Sequence, residues 1–580
     1  MHISLFTIKK SQLIMALWWT VIITRLWQLQ TYDGSLYQER SLKNYLKIEK
    51  ILSLRGEITD CNGIVIATNS PIITLWWQGS GSKKLTDQQQ RLYDYIATFY
   101  PLPDISTIVA CERLERQILL AQDVPLATMS SIIEQFPLSK NILIKTDFKR
   151  CYPYQQTACH VIGYLGALSS TYGSSGIMGV EKLCEEPLKG DAGIKETIIN
   201  SFGKRINETA IKDALQGRTI KTTLNLNYQK ILESAFDETF KGAGIIICPK
   251  TGAIRAILSR PTFDPHIFLH PISTEQWEAL QVEKPFLNRA IDACYPPASL
   301  FKLVTATAAL ETGIITTQDS WVCHGHITYG GRDFHCMHRE GHGLMSLQNA
   351  IAHSCNIPFY EMGKRLSIDT LARYAHEYGL GEETGTALRE KKGFIPTKEW
   401  KRRALKQSWY QGENLPVAVG QGAVLVTPLQ IGCMIGSIIE GSLVKPRILE
   451  SEPIVIKKIN IQKNTLAFLK QSMHSAIVSG TGISLSNIKN VRLYGKTGTA
   501  QTVSKIIKKS SEKSYEEKEH AWFVAYIESD TMPPLVIVIF TEHTESNGPT
   551  KRIAKKIIED IYVKHVNLVS PSTEVKESPV

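Results

Sequence analysis

The chain has no uninterrupted apolar run of the roughly 20 residues that a helix needs to cross a bilayer. Its best candidate, Leu13–Thr24, follows Lys9 and Lys10 and is cut short by Arg25. No small-residue cleavage site follows, which argues against a removable leader. Nucleic-acid-binding motifs are missing too. The excess of 66 basic over 55 acidic residues, +11 in all, is therefore left for an anionic membrane face or an anionic polymer. Cysteines number 11, an odd count, so a complete set of intrachain disulfides is excluded. Residues 31–225 carry no catalytic constellation. A sugar-polymerising module would need its own acidic site and more chain. At 580 residues, several domains are expected.

What is there centres on Tyr295-Pro296-Pro297-Ala298-Ser299-Leu300-Phe301-Lys302. The run Leu303–Leu310 is apolar, rich in Ala and Thr, and free of Gly and Pro, so it reads as a buried helix. Two prolines just ahead suit a sharp entry into a first turn, because Pro deeper in a helix loses a hydrogen bond. Ser299 then sits at the helix N-terminus, where unpaired N–H groups favour developing negative charge. Lys302 follows three residues on, on the same face. A serine with an amine one turn away is a nucleophile with its own base. The amine must be neutral, which requires burial or a neighbouring cation. By itself S-x-x-K is weak, since a surface serine and a solvated lysine spell it equally well.

Two further motifs follow in order: Ser354-Cys355-Asn356, and Lys496-Thr497-Gly498-Thr499. S-x-x-K, S-x-N and K-T-G in this sequence mark penicillin-binding proteins and serine β-lactamases. The stretch from Pro396-Thr397-Lys398-Glu399-Trp400 to Thr427-Pro428-Leu429-Gln430 extends the likeness. So do Arg55-Gly56-Glu57-Ile58-Thr59-Asp60, Tyr152-Pro153-Tyr154, His160-Val161-Ile162-Gly163-Tyr164 and Gly179-Val180-Glu181. On these residues the chain resembles the elongation-type class B penicillin-binding proteins, the penicillin-binding protein 2 group, from about residue 26 to 545. Two positions depart from that pattern. Cys61 stands where the family usually has Arg, and Ala298 where it usually has Gly.

The resemblance implies an α/β (α+β) chain: a β-rich pedestal, then a transpeptidase domain whose central antiparallel sheet is flanked by helices. The expected layout is a cytoplasmic tail (1–11), a transmembrane anchor (12–30), a pedestal (31–225), a transpeptidase domain (226–567) and a disordered tail (568–580). Arg25 can snorkel, and Trp18, Trp19 and Trp27 suit the membrane interface. The catalytic part would then be periplasmic on a single-pass inner-membrane anchor. The implied reaction cross-links peptidoglycan stem peptides during cell elongation. Ser299 is the nucleophile, Lys302 its base, and Lys496 the charge that helps keep Lys302 neutral. Ser354 relays a proton and Asn356 orients the substrate amide. Thr497, Gly498 and Thr499 bind the terminal carboxylate, and the backbone N–H groups of Ser299 and Thr499 form the oxyanion hole. Implied partners are β-lactams, a polytopic lipid-II polymerase of the rod-shape system and membrane-anchored scaffold proteins. Other readings on the same fold are a β-lactamase or β-lactam sensor, or a catalytically silent scaffold. The first would need a carboxylate in an E-x-x-L-N pattern, which is missing between the second and third motifs. Intact motif residues argue against the last.

Cys323, Cys336, His342 and Cys355 crowd the region between the first motif and the end of the second. Metal-ligand types at this density suggest a closed, tetrahedral zinc site of three cysteines and one histidine, and some relatives carry ligands at these spacings. A Cys323–Cys336 disulfide is the competing reading in an oxidising periplasm. If residues 354–356 are near extended, Ser354 and Asn356 face one way and Cys355 the other, so a metal would grip the back of the catalytic loop. Ser504–Lys518, polar and dense in Lys, Ser and Glu, reads either as a lid over the cleft or as a solvated insertion.

Overall fold

The computed structural model describes residues 5–51, 53–137, 139–167, 174–199, 205–269, 272–501, 519–544 and 546–563. The expected lid at 504–518 and tail at 568–580 lie outside the described residues. The chain forms two compact units that interleave in sequence. One holds residues 1–56, 69–151 and 186–218, and the other holds 57–68, 152–185 and 219–580.

The first unit begins with the helix Leu5–Trp27, which runs through a π turn, Gln28–Tyr32, toward the helix Gly34–Tyr45. No helix among the described residues is long and apolar enough to cross a membrane. Lys9, Lys10 and Arg25 dilute the apolar character of a helix whose 23 residues are otherwise long enough for the anchor expected at 12–30. Leu46–Ile51, Gly193–Ile199 and Arg205–Lys212 form a three-stranded antiparallel sheet, with Leu46 opposite Ile198 and Ile194 opposite Lys212. A separate core collects Leu75, Trp77, Leu92, Ile96, Ile108 and Ile132. Around it lie the helices Asp87–Ala97, Ile105–Arg113 and Leu126–Gln135. Thr86 starts the first of these through a capping box with Gln89, which satisfies two orphan N–H groups reciprocally. Glu112 is fully buried in this core. It accepts from Trp77 Nε1 at 2.8 Å, Gln89 Nε2 at 2.8 Å and Asn141 Nδ2 at 3.2 Å, so its buried oxygens are met by donors that tie the helices together.

The second unit is built on a five-stranded antiparallel sheet. Its order is Ile254–Arg260, Gly242–Ile247, Leu535–Thr544, Glu519–Glu528, Arg492–Ala500. Gly242–Ile247 is buried throughout, as a strand covered on both faces must be. Side chains alternate between those faces. Ile246, Ile537 and Ile539 pack with Leu232, Ile553 and Ile557 of the helices Leu226–Ala235 and Gly548–Ile558. On the other face, Val538 and Val536 meet Gly432 and Gly436 of the helix Pro428–Glu440. This is the α+β layering expected of the catalytic part. The sheet ends at Arg492–Ala500, whose outer edge pairs with no strand among the described residues.

Candidate active site

Ser299 lies in one tight 3-10 turn, Ala298–Leu300, that leads into the helix Lys302–Glu311. Ser299 is thus in the turn and Lys302 is the first residue of the helix behind it. Ala298 adopts φ +52°, the left-handed region. Its N–H donates to Gly420 O at 2.9 Å and its carbonyl accepts from Phe301 N at 2.9 Å, which hold it there. That conformation costs an alanine about 1–2 kcal/mol and a glycine almost nothing, which accounts for the glycine usual at this place.

The Lys302 side chain is fully buried beside the Phe359 ring, 5.3 Å from its centre. It donates to Ser354 O at 2.7 Å and Ser354 Oγ at 3.2 Å; neither contact is to Ser299. Burial pushes Lys302 down from 10.5 to about 8. Lys496 arrives from the edge strand, also buried, and donates to the same Ser354 Oγ at 3.0 Å and to Thr497 O at 3.1 Å. Burial, and then the neighbouring Lys302 charge, hold Lys496 well below the ordinary lysine range. One hydroxyl thus joins three stretches of chain.

Ser354 has φ +58° and sits in the break between the helices Leu347–Ala352 and Ile357–Arg365. The break is a left-handed kink and not an extended stretch, so its side chains are not shared out as an alternating strand would share them. Ser354 faces the lysines, while Cys355 and Asn356 both turn to the Cys/His cluster. Asn356 Nδ2 donates to His335 O at 3.0 Å and Asn356 N to Cys336 Sγ at 3.5 Å.

The edge strand approaches the nucleophile turn at Gly498. A Cβ there would lie 3.2 Å from Trp522 Cβ, 3.3 Å from Pro297 O and 3.4 Å from Leu300 Cγ, so glycine permits the contact. Thr497 Oγ1 donates to Thr481 Oγ1 at 2.8 Å, and Thr499 Oγ1 accepts from Asn547 Nδ2 at 2.7 Å. Thr481, Asn547 and Gln421, whose Nε2 reaches Thr499 O at 3.4 Å, were not expected from the sequence. Thr481 and Asn547 sit in ordinary turn spelling, Ser-Gly-Thr-Gly and Ser-Asn-Gly-Pro, and only tertiary contact singles them out; Gln421 lies in the stretch that carries the family likeness, which gave it no role.

Cys323, Cys336, His342 and Cys355 come together with their ligating atoms within 4.8 Å of one another, a set that could hold a metal ion. His342 Nδ1 lies 3.6 Å from Cys323 Sγ and 3.4 Å from Cys336 Sγ, and the Cys336 and Cys355 sulfurs are 3.8 Å apart. No disulfide joins Cys323 to Cys336; both are free thiols. Cys323 ends the strand Ser320–Cys323, paired to Gly343 of Gly343–Ser346; Cys336 directly follows the hairpin of His326–Tyr329 with Arg332–His335, and His342 directly precedes Gly343.

The family described as "Penicillin binding protein transpeptidase domain" matches residues 242–562, and "Penicillin-binding Protein dimerisation domain" matches 50–222. The peptidoglycan D,D-transpeptidase MrdA of Acinetobacter baumannii is 28% identical over 93% of this chain and 85% of its own. The enzyme of the same name from Escherichia coli K12 is 29% identical over 74% of this chain and 72% of its own. Among solved structures, a complex between penicillin-binding protein PBP2 and MreC from Helicobacter pylori superposes with a TM-score of 0.76 at 27% identity, covering 89% of this chain and 98% of that one. A peptidoglycan synthase complex that coordinates polymerization and crosslinking superposes at 0.73 with 30% identity, covering 98% of this chain and 100% of that one.

Proposed function

The chain belongs to the penicillin-binding proteins with a transpeptidase domain, and from that premise we propose a reaction cycle for it as a peptidoglycan D,D-transpeptidase of cell elongation. The observation that carries the cycle is the Ser354 hydroxyl, which takes an N–H from each of two buried lysines. A hydroxyl has two lone pairs and one proton. With both lone pairs engaged, its proton is left to give away. Lys302, pushed down to about 8, must first give up a proton; once neutral it has two N–H groups, directed at Ser354 O and Oγ, and one lone pair. That lone pair takes the Ser299 proton as the oxygen attacks the penultimate D-Ala carbonyl of a stem peptide. Ser354 hands its proton to the departing D-Ala amine and is replenished from the lysines. The acyl-enzyme then passes to the amine of a second stem by the same steps reversed. Water in place of that amine gives carboxypeptidase side activity.

Thr499 O turns toward Gln421, away from the strand Glu519–Glu528. In a strand the N–H and C=O of one residue point the same way. The Thr499 N–H is therefore free of the sheet and, with that of Ser299, suits the oxyanion. Losing one such donor costs ~2.7–4 kcal/mol of barrier. Asn356 keeps the role of orienting the substrate amide in this reading, which requires its Nδ2 to exchange His335 O for the substrate. Thr497, Gly498 and Thr499 line the carboxylate end.

Cys323, Cys336, His342 and Cys355 would hold zinc. Tetrahedral zinc with Zn–S of about 2.3 Å and Zn–N of about 2.0 Å has S···S edges of about 3.8 Å and S···N edges of about 3.5 Å. Three of the six separations, 3.8, 3.6 and 3.4 Å, match these edges, within a set that spans up to 4.8 Å. Such an ion is structural: it fixes Cys355 and so the neighbouring Ser354.

The apolar side chains of the helix Leu5–Trp27, from Leu13 to Trp27, are exposed on every side. Its 23 residues span ~34 Å, against a hydrocarbon core of ~30 Å. We read it as a single-pass inner-membrane anchor with the catalytic part in the periplasm. By analogy with the MreC and synthase complexes, the partners are a scaffold protein and a lipid-II polymerase. Mass spectrometry after labelled penicillin tests the function. A long-lived adduct on Ser299, absent in Ser299→Ala, supports it. Rapid turnover would point to a β-lactamase, and no adduct would refute catalysis altogether.

A further inference from the structure

The helix Gly548–Ile558 is preceded by Asn547. An asparagine there ordinarily accepts, through Oδ1, the second or third helical N–H; the second residue is Pro549, which has none, so Thr550 N would be the partner. Here the side chain makes no capping bond. Its amide is turned to the edge strand, where Nδ2 donates to Thr499 Oγ1 at 2.7 Å. Oδ1 is left buried with no partner. A forgone cap and an orphaned oxygen both cost stability, so the contact with Thr499 stands against a local preference.

The direction of that hydrogen bond separates two threonines that the motif spells alike. Thr499 Oγ1 accepts from Asn547 and keeps its own proton for another acceptor. Thr497 Oγ1 has already given its proton to Thr481 Oγ1, at 2.8 Å. Lys551 Nζ donates to Thr481 O at 3.3 Å and sets a cation behind the same corner. Thr499 is half-buried, at the open edge of the sheet.

We propose that Asn547 is a positioning residue that aims the Thr499 proton at the substrate's terminal carboxylate, so that of the two threonines lining that end it is Thr499 that supplies the hydroxyl proton. The inference rests on the acyl-transfer reading of Ser299.

Asn547→Asp tests it in the full chain. Aspartate has the same shape and caps a helix as well as asparagine. It cannot donate, so Thr499 must turn its own proton toward residue 547. Acylation of Ser299 is measured with a D-alanyl thioester that ends in a carboxylate and with its carboxamide counterpart. The rate constant for the carboxylate is expected to fall about tenfold or more, the scale of a hydrogen bond to a charged group, and that for the carboxamide by less than about twofold. The melting temperature should hold or rise. Asn547→Ala, which removes the donor without adding charge, should give the same split at smaller size. Equal falls on both thioesters in these variants, or no fall on the carboxylate, would overturn the assignment. No Ser299 adduct from either thioester in the parent would instead overturn the acyl-transfer reading, and this inference with it.

Discussion

Lys302→Met should make the protein more stable at neutral pH while abolishing its reaction. Lys302 is fully buried and its ammonium is pushed down from 10.5 to about 8. Between those values the unfolded chain holds a proton that the folded chain has released, so stability rises with pH across that window. Below pH 8 the whole cost is present. At about 1.4 kcal/mol per pH unit it comes to about 3 kcal/mol. Methionine removes that cost and fills the same apolar space against Phe359. It also leaves Ser354 O without its donor, which costs about 1–2 kcal/mol. The net gain at pH 7 is therefore about 1–2 kcal/mol. At pH 10 the unfolded lysine is itself losing its proton and less than about 1 kcal/mol of the cost remains, so the sign should reverse. Urea unfolding of parent and variant at pH 7 and pH 10, followed by tryptophan fluorescence, reads both quantities. Labelled penicillin should leave the variant unmarked at either pH. A variant less stable than the parent at pH 7, or shifted equally at both pH values, would refute the account of Lys302 as a desolvated, readily deprotonated amine.

Three other expectations follow from the same geometry. Gly498→Ala places a Cβ 3.2 Å from Trp522 Cβ and 3.3 Å from Pro297 O. The edge strand must then back away from the nucleophile turn, and the penicillin acylation rate should drop about tenfold or more. Ala298→Gly relieves the left-handed strain at φ +52° and should raise stability by up to about 1 kcal/mol, whereas Ala298→Val should lower it by more than that, both in urea. Metal analysis of purified protein should find one zinc per chain. A chelator should remove it and slow Ser299 acylation, and Cys355→Ser should do both; zinc absent with two thiols missing from a titration would defeat the metal reading.

The sheet was legible because its strands announce their burial: Gly242–Ile247 and Leu535–Thr544 are apolar runs without helical period. The helix that follows Ser299 was legible from the apolar run after Lys302, and it begins at Lys302 behind the turn Ala298–Leu300. The direction taken by Asn356 was not. One left-handed residue, Ser354, rotates everything after it, and no local spelling foretells φ +58° for a serine. Asn547 was equally hidden, because in isolation Asn547-Gly548-Pro549 is a plain helix entry and only Thr499 gives it another use. The interleaving of the two units could not be read either. It depends on contacts such as Leu226 N to Asp60 Oδ2, 166 positions apart.

That last contact sets a timetable for synthesis. Asp60 is wholly enclosed, accepting from Asn62 N and Ile64 N at 2.8 Å and from Leu226 N at 3.1 Å. Its local partners leave the ribosome with it, while Leu226 comes 166 residues later. At about 5–20 residues per second the wait is roughly ten to thirty seconds. Through that interval the 57–68 segment is a piece of an enzyme that does not yet exist, with its carboxylate open to water. A fragment begun at residue 226 would never receive it, and is expected to be less stable than one supplied with residues 57–68 and 152–185 of the same unit.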